Sequence, residues 1–127
     1  MKPNSFLLID DDPAIGTLVR RVAEWCEFDV TVTTDPVEFK SAYEAGEPGV
    51  IAVDLAMAGV DGIELLRYLA QAGCKARILI ISGFDRRTRE TAVRLGEALG
   101  LNMAGIIAKP MRIADLRAQL IGMRDAA

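Results

Sequence analysis

Histidine is absent from this chain of 127 residues. Without an imidazole the protein cannot form a Ser-His-Asp triad, a zinc site with a histidine ligand or a phosphohistidine of its own. An excess of basic residues is also missing, since 15 Lys and Arg stand against 18 Asp and Glu and the formal net charge is −3. No basic field therefore indicates direct binding to nucleic acid.

Cysteines and long apolar runs are scarce as well. Cys26 and Cys74 are far apart, lack a CxxC spacing and fall in or just after apolar helical patterns, so we expect both to be buried, reduced thiols. The longest apolar runs have the length of strands, and no extended apolar segment follows residues 1–5. The sequence therefore predicts neither a signal peptide nor a membrane span, and we expect a cytoplasmic protein.

Short apolar runs alternate with helical patterns along the whole chain. Strands are predicted at residues 6–9, 28–32, 50–53, 78–81 and 103–108. Helices are predicted at about 12–27, 35–46, 62–72 and 85–99. A last helix holds four apolar residues on one stripe: Ile113, Leu116, Leu120 and Met123. All the runs but the second are continuously apolar, which is typical of a parallel sheet covered on both faces. This (βα)5 pattern predicts an α/β fold with an open, doubly wound, five-stranded parallel sheet. It contains no linker or repeat, so we expect residues 1–127 to form one domain with nothing attached.

Polar residues follow four of the five predicted strands. Strand one is followed by Asp10-Asp11-Asp12, strand three by Asp54, strand four by Ser82 and strand five by Lys109. The carboxyl ends of parallel strands share one edge of the sheet, where ligands bind, so we expect these side chains to converge. The carboxylates suit a hard cation such as Mg²⁺, and the hydroxyl and the ammonium could hold the oxygens of a phosphoryl group. Such a site meets the needs of phosphoryl transfer without any histidine.

Four motifs thus occur together and in order, namely Asp10-Asp11, DLAMAGVDG from Asp54, Ser82-Gly83 and Lys109-Pro110. Together they resemble the receiver domain of two-component response regulators, of the chemotaxis-regulator type, over essentially the whole chain. The resemblance implies a flavodoxin-like sheet with strand order 2-1-3-4-5. It also implies a protein that catalyses only its own phosphorylation and dephosphorylation, rather than an enzyme that acts on separate substrates.

By this resemblance Mg²⁺ is the cofactor. Asp11 would bind it directly, Asp10 would bind it through water or at longer range, and Asp54 would be a further ligand. The backbone carbonyl of Ala56 would complete the ligands from the protein, which leaves the Ala56 side chain free to vary.

The same resemblance implies a role for each remaining motif residue. Asp54 would be the phosphoacceptor and would take a phosphoryl group from a phosphohistidine of a partner kinase. Lys109 would pair with Asp54 at rest and with the phosphoryl group afterwards, and Ser82 would donate its hydroxyl to a phosphoryl oxygen. The Lys109–Pro110 bond is usually cis in this family. Gly62 would let the loop turn into the third helix.

Simpler interpretations stand beside these roles. Asp12 is expected to act mainly as an N-cap, and Ser82 could be no more than a cap of the fourth helix. Lys109 could be a structural counterion of the acids, a role that the functional interpretation includes. Four arginines resemble a nucleic-acid stripe, but with Glu90 and Glu97 interleaved they predict a solvated face: Arg86, Arg87, Arg89 and Arg94.

The sequence departs from the family pattern in places. Ile106 stands where many members carry Tyr or Phe, and it cannot make the inward swing of an aromatic ring. Ala56 and Phe84 have no group that could hydrogen-bond an attacking water, so slow self-dephosphorylation is expected. Residues 95–110 resemble receivers that precede cyclic-di-GMP phosphodiesterase (EAL) domains, which raises the alternative of a fragment of a longer regulator.

The resemblance implies several partners and leaves two alternative functions to be considered. A histidine kinase or phosphotransfer protein, an output domain or downstream protein, and a homodimer through the face of helix four, strand five and helix five are expected. No contact with nucleic acid or membrane is expected. The alternatives are a degenerate receiver that serves only as an interaction module and a phosphatase of the haloacid-dehalogenase type. Against the phosphatase, Pro13 stands where its DxDG fingerprint needs glycine.

Overall fold

The computed structural model describes residues 2–57, 60–83 and 85–125. Five strands form the main sheet, and we number them β1 (Lys2–Ile9), β2 (Asp29–Thr33), β3 (Pro48–Asp54), β4 (Arg77–Ser82) and β5 (Asn102–Ala108). Five helices alternate with them: α1 (Pro13–Trp25), α2 (Pro36–Ala45), α3 (Gly62–Gln71), α4 (Arg86–Ala98) and α5 (Ile113–Asp125). The predicted (βα)5 succession is confirmed. The first strand begins at Lys2 rather than Phe6, because Lys2 pairs with Pro48 beyond a register shift.

All strands of the main sheet are parallel and lie in the order β2-β1-β3-β4-β5, as expected. The order reverses between β1 and β3, and this switch point is where ligands bind in such sheets. Asp54 pairs with Ile81, and Ser82 pairs with Ala108. The strand ends are therefore level, and the residues that follow them meet at one edge.

A short antiparallel hairpin, which the sequence did not predict, separates β3 from α3. Its strands are Ala56–Met57 and Val60–Asp61. Two-residue strands are too short to show a periodic pattern, which is why no sequence signal marks them.

The core lies on both faces of the sheet, because successive residues of a strand point to opposite sides. Phe6 and Leu8 pack with α1 and α5, and Leu7 and Ile9 pack with α2 and α3. Every residue of β3 is buried, which explains its continuously apolar run. Both cysteines are buried and free, as expected.

Helix starts follow the aspartates that the sequence singled out. Asp12 accepts a hydrogen bond from the Ala14 N–H at 2.9 Å, and Asp35 accepts one from the Glu38 N–H at 2.9 Å. The cap of α4 is Asp85, whose carboxylate accepts from the Thr88 N–H at 2.8 Å. The alternative in which Ser82 only caps this helix is therefore wrong.

The polar face of α4 is exposed to solvent, as predicted. Arg86 and Glu90 form an ion pair with 2.9 Å between Nε and Oε1, and only Ala92 and Gly96 of this helix are buried. Across the described ranges, the helices are too short or too polar to cross a bilayer.

Candidate functional site

Three carboxyl-terminal strand ends bring buried polar side chains together. Asp10 directly follows β1, Asp54 is the last residue of β3, and Ser82 is the last residue of β4. All three are buried, and Asp54 is only 1% exposed. Thr33 is also buried, but its hydroxyl donates to the Leu8 carbonyl at 2.7 Å and serves the sheet. Polar burial in the described part of the chain therefore concentrates at the edge that the sequence predicted.

Lys109 supplies the positive charge of the site. It directly follows β5, and its Nζ lies 3.1 Å from Oδ2 of Asp10 and 3.2 Å from Oδ2 of Asp54. A buried carboxylate is costly without a compensating charge, so one ammonium accounts for the burial of both acids. Pairing with Asp54 was predicted, whereas the equally short contact with Asp10 was not.

The pKa of Lys109 reflects this arrangement. Burial alone disfavours the charged ammonium and lowers the pKa, but the nearby carboxylates of Asp10, and then of Asp54, outweigh it. The net effect raises the pKa of Lys109 above its ordinary value. The lysine is thus held in its charged form between the two carboxylates.

The acids themselves form a group suited to a cation. Asp10, Asp11 and Asp54 each offer one carboxylate oxygen, and these oxygens lie within 4.8 Å of one another. Asp11 is exposed and gives the group an opening to solvent. Only oxygen donors are present, which is the ligand chemistry of Mg²⁺ rather than of zinc.

Asp10 carries an unsatisfied oxygen that supports this fit. Its Oδ1 accepts the Asp12 N–H at 2.9 Å. Its buried Oδ2 accepts no hydrogen bond of standard geometry from the residues described, and the Lys109 contact has the geometry of an ion pair. A buried acceptor of this kind has capacity left for a cation or for a water on a cation.

The backbone ties Ser82 and Lys109 together. The Lys109 N–H donates to the Ser82 carbonyl oxygen at 2.9 Å. The Lys109–Pro110 bond is cis, as the resemblance implied. The loop that carries the lysine is therefore anchored to the strand end that carries the hydroxyl.

Other predicted positions are less fully defined. Ala56 lies in the first strand of the hairpin, directly after Leu55. Phe84 lies outside the described residues. Asp12 faces the start of α1 as its N-cap, which confirms the simpler interpretation of that residue.

The sequence did not reveal why the residue at position 62, beside the site, is a glycine. It was expected to permit a turn, but it lies against the backbone of Leu55, directly after Asp54. The glycine at the end of DLAMAGVDG was the available signal. The need for close approach became visible only in three dimensions.

Comparisons with known proteins agree with the resemblance that the four motifs carry. The family model "Response regulator receiver domain" matches residues 6–121. The regulatory protein VirG of Agrobacterium tumefaciens is 33% identical over 114 residues, which are 90% of this chain and 41% of that protein. The transcriptional regulatory protein TrcR of Mycobacterium tuberculosis is 26% identical over 121 residues, which are 95% of this chain and 45% of that protein.

A solved structure shows the same architecture. The crystal structure of a response regulator from Colwellia psychrerythraea has a TM-score of 0.83 and 27% identity, and the match covers 99% of this chain and 100% of that one. By contrast, the chain spans less than half the length of VirG and TrcR. These findings favour the receiver over the phosphatase, and they leave the resemblance to EAL-linked receivers a prediction. The chain belongs to the family of response regulator receiver domains of two-component systems.

Proposed function

We propose that this receiver accepts a phosphoryl group on Asp54 from a phosphohistidine of a partner kinase. The observation that carries the proposal is the placement of Asp54. It is a nearly fully buried carboxylate at the end of the central strand, within 4.8 Å of two other acids and 3.2 Å from an ammonium. A carboxylate placed in this way is confined, oriented and partly neutralised before any substrate arrives.

In the proposed transfer step Asp54 is the nucleophile. A carboxylate oxygen of Asp54 forms a bond to phosphorus while the P–N bond of the donor phosphohistidine breaks, and the imidazole nitrogen keeps the electron pair. The product is an acyl phosphate on Asp54. Because the chain has no histidine, it can be the acceptor in this exchange but not the phosphohistidine donor.

Asp10, Asp11, Asp54 and the Ala56 carbonyl are the residues proposed to hold Mg²⁺. When bound, the ion would neutralise charge on the phosphoryl oxygens. Asp11, exposed at the mouth of the group, is suited to the direct contact, and the unsatisfied Oδ2 of Asp10 to a water-mediated one.

Lys109 and Ser82 are proposed to stabilise the product. The ammonium that pairs with Asp54 at rest would shift to a phosphoryl oxygen after transfer, since the new group carries more negative charge than the carboxylate. The buried Ser82 hydroxyl would donate to a second phosphoryl oxygen. The Lys109 ammonium lies 3.1 Å from Asp10 and 3.2 Å from Asp54. Asp10 would therefore keep the ammonium in place while the ammonium moves from the Asp54 carboxylate to the phosphoryl group.

The rest of the signalling path is proposed from the family. A histidine kinase or a phosphotransfer protein would supply the phosphoryl group, and an output domain or a downstream protein would read the change. A homodimer through α4, β5 and α5 remains a proposal. Residues 1–127 are proposed to act as one receiver unit that catalyses only its own phosphorylation and dephosphorylation.

Treatment with acetyl phosphate and Mg²⁺, read by intact mass, tests the proposal. The wild-type protein should gain one phosphoryl group, and Asp54→Asn should gain none. Asp29→Asn is a matched control, since Asp29 is an exposed aspartate on β2 outside the site. A wild-type protein that stays unlabelled would favour the degenerate receiver instead.

A further inference from the structure

The single tryptophan of the chain is exposed. Trp25 ends α1 with 61% of its surface exposed, and it belongs to neither core cluster. The guanidinium of Arg117 on α5 lies over it, with Cζ 3.9 Å from the ring centroid. Stacking of this kind favours one orientation of the ring without burying it. A large apolar side chain is therefore presented to solvent beside a cation.

Apolar surface continues from Trp25 along α5. Ile113 and Ile121 lie one turn before and one turn after Arg117, so the three residues share one face of the helix. Ile113 is 57% exposed, and Ile121 is also exposed. Arg21 lies one turn before Trp25 on α1 and is exposed too. We call these five residues the Trp25 surface: Arg21, Trp25, Ile113, Arg117 and Ile121.

The charge of the Trp25 surface is positive. The neighbouring acids are already paired, Glu24 with Arg20 at 3.6 Å and Glu27 with Arg124. Arg21 and Arg117, by contrast, form no ion pair with any carboxylate that the structure describes. Two uncompensated cations thus flank exposed apolar side chains, although the chain as a whole is negative.

We propose that the Trp25 surface docks an amphipathic helix with acidic flanks from a separate protein. Tryptophan and arginine are the residue types that most often dominate binding energy, and exposed apolar side chains on two adjacent helices suit the apolar face of a third. The unpaired arginines call for carboxylates on the partner. A second copy is disfavoured, since a two-fold contact through this surface would bring like charges together.

Trp25, the anchor of this surface, lies away from the phosphoacceptor site, although Ile113 begins α5 four residues after Lys109. Trp25 lies at the carboxyl end of α1, whereas Asp12 caps the opposite end beside the acids. The proposal therefore does not depend on the chemistry of Asp54, and its failure would leave that chemistry untouched.

Trp25 is itself the probe for the experiment. An 18-residue helical peptide with leucines at helical spacing, glutamates beside them and no aromatic residue would be titrated while tryptophan fluorescence is recorded. A peptide with lysine in place of each glutamate is the matched probe. We expect a saturable change with the acidic peptide, and binding at least about tenfold weaker with the lysine peptide.

Variants then locate the contact. Arg117→Glu should weaken binding of the acidic peptide about tenfold, and Arg21→Glu should act in the same direction. Arg87→Glu on α4 makes the same charge change on another exposed face and should leave the affinity unchanged. Phosphoryl labelling of Asp54 should persist in all three variants, which separates this test from that of the proposed function.

Three results would overturn the inference. One is the absence of any fluorescence change with the acidic peptide. The second is equal affinity of Arg117→Glu and Arg87→Glu, which would place the contact elsewhere. The third is a stronger response to phosphatidylglycerol vesicles than to the acidic peptide, because this would identify the surface as one for lipid.

Discussion

Gly62 lies so close to Leu55 that a Cβ atom at position 62 would stand 2.7 Å from the Leu55 Cα. The same atom would stand 2.8 Å from the carbonyl oxygen of Asp54. Both neighbours are backbone atoms, so neither can move aside without moving the strand end. The start of α3 thereby lies directly against the backbone of Leu55 and of Asp54, the proposed phosphoacceptor.

Substitution of this glycine should therefore damage both stability and labelling. We expect Gly62→Ala to lower the free energy of unfolding by about 1–3 kcal/mol, because the methyl group forces a backbone shift. Urea denaturation measures the loss, and acetyl phosphate labelling should fall with it. Gly46→Ala is the control, since nothing lies within 4 Å of its Cβ position and its φ of −178° suits any residue. Equal stability of the two variants would contradict the close-contact account.

Removal of a site carboxylate should stabilise the metal-free protein. Three carboxylate oxygens lie within 4.8 Å of one another, and the Lys109 ammonium contacts Asp10 and Asp54. We expect Asp11→Asn to raise the free energy of unfolding by about 0.5–1 kcal/mol in EDTA, because like charges repel. Urea titrations of this variant and of Asp29→Asn measure the difference, and no gain over the control would contradict the prediction.

Added Mg²⁺ should make the wild-type protein more stable relative to Asp11→Asn. A ligand that binds only the folded state raises stability, so added Mg²⁺ should raise the Tm of the wild-type protein. Asp11→Asn should show little response, since it lacks the exposed ligand. Differential scanning calorimetry with and without EDTA checks this. An equal shift in both proteins would place the ion elsewhere.

Alkaline pH should weaken the contribution of Lys109. Its pKa is raised in the folded protein, so its stabilisation is fully present below the unfolded value of 10.5 and is lost as the pH rises through the folded value. At neutral pH, Lys109→Met should lose about 2–4 kcal/mol, because two buried carboxylates lose their counterion. Above about pH 10.5 the difference between wild type and variant should shrink.

Urea titrations from pH 7 to 11 measure this difference. Burial also raises the pKa of Tyr43, but that residue is present in both proteins, so its ionisation cancels in the comparison. Lys75→Met, at an exposed position, is the control and should change stability little at any pH. A gap between wild type and Lys109→Met that stays constant with pH would argue against the ion pairs.

The lifetime of the acyl phosphate is expected to be long. Neither Ala56 nor Phe84 has a side chain that could hydrogen-bond an attacking water. Ala56→Asn and Phe84→Glu should each shorten the lifetime several-fold, as followed by the decay of the phosphorylated mass after removal of acetyl phosphate. Val37→Asn adds the same amide at an exposed position on α2 and should leave the lifetime unchanged.

The sheet and its site edge could be predicted from the sequence for one physical reason. Strands covered on both faces are read as continuous apolar runs, and the first polar residue after each run marks the strand end, as at Asp10 and Asp54. Parallel strands then bring these ends together whatever the detail of the loops. The cap at Asp12 follows from its own local chemistry and was predicted as well.

Other features depend on contacts that a linear pattern does not contain. The pairing of Lys109 with Asp10 joins residues from opposite ends of the chain, and the tightness at Gly62 depends on the path of the hairpin. The exposure of Trp25 and its stacking with Arg117 depend in the same way on how α1 and α5 pack together. The cytoplasmic location stays a prediction.

Chemical mapping of the phosphoryl group tests the central claim most directly. Borohydride reduces an aspartyl phosphate to homoserine, so protein treated with acetyl phosphate and Mg²⁺ and then with borohydride can be digested and sequenced by mass spectrometry. The account predicts homoserine at position 54 and at no other aspartate. Homoserine at Asp10 or Asp11 instead, or its absence from protein that has gained a phosphoryl group, would contradict it.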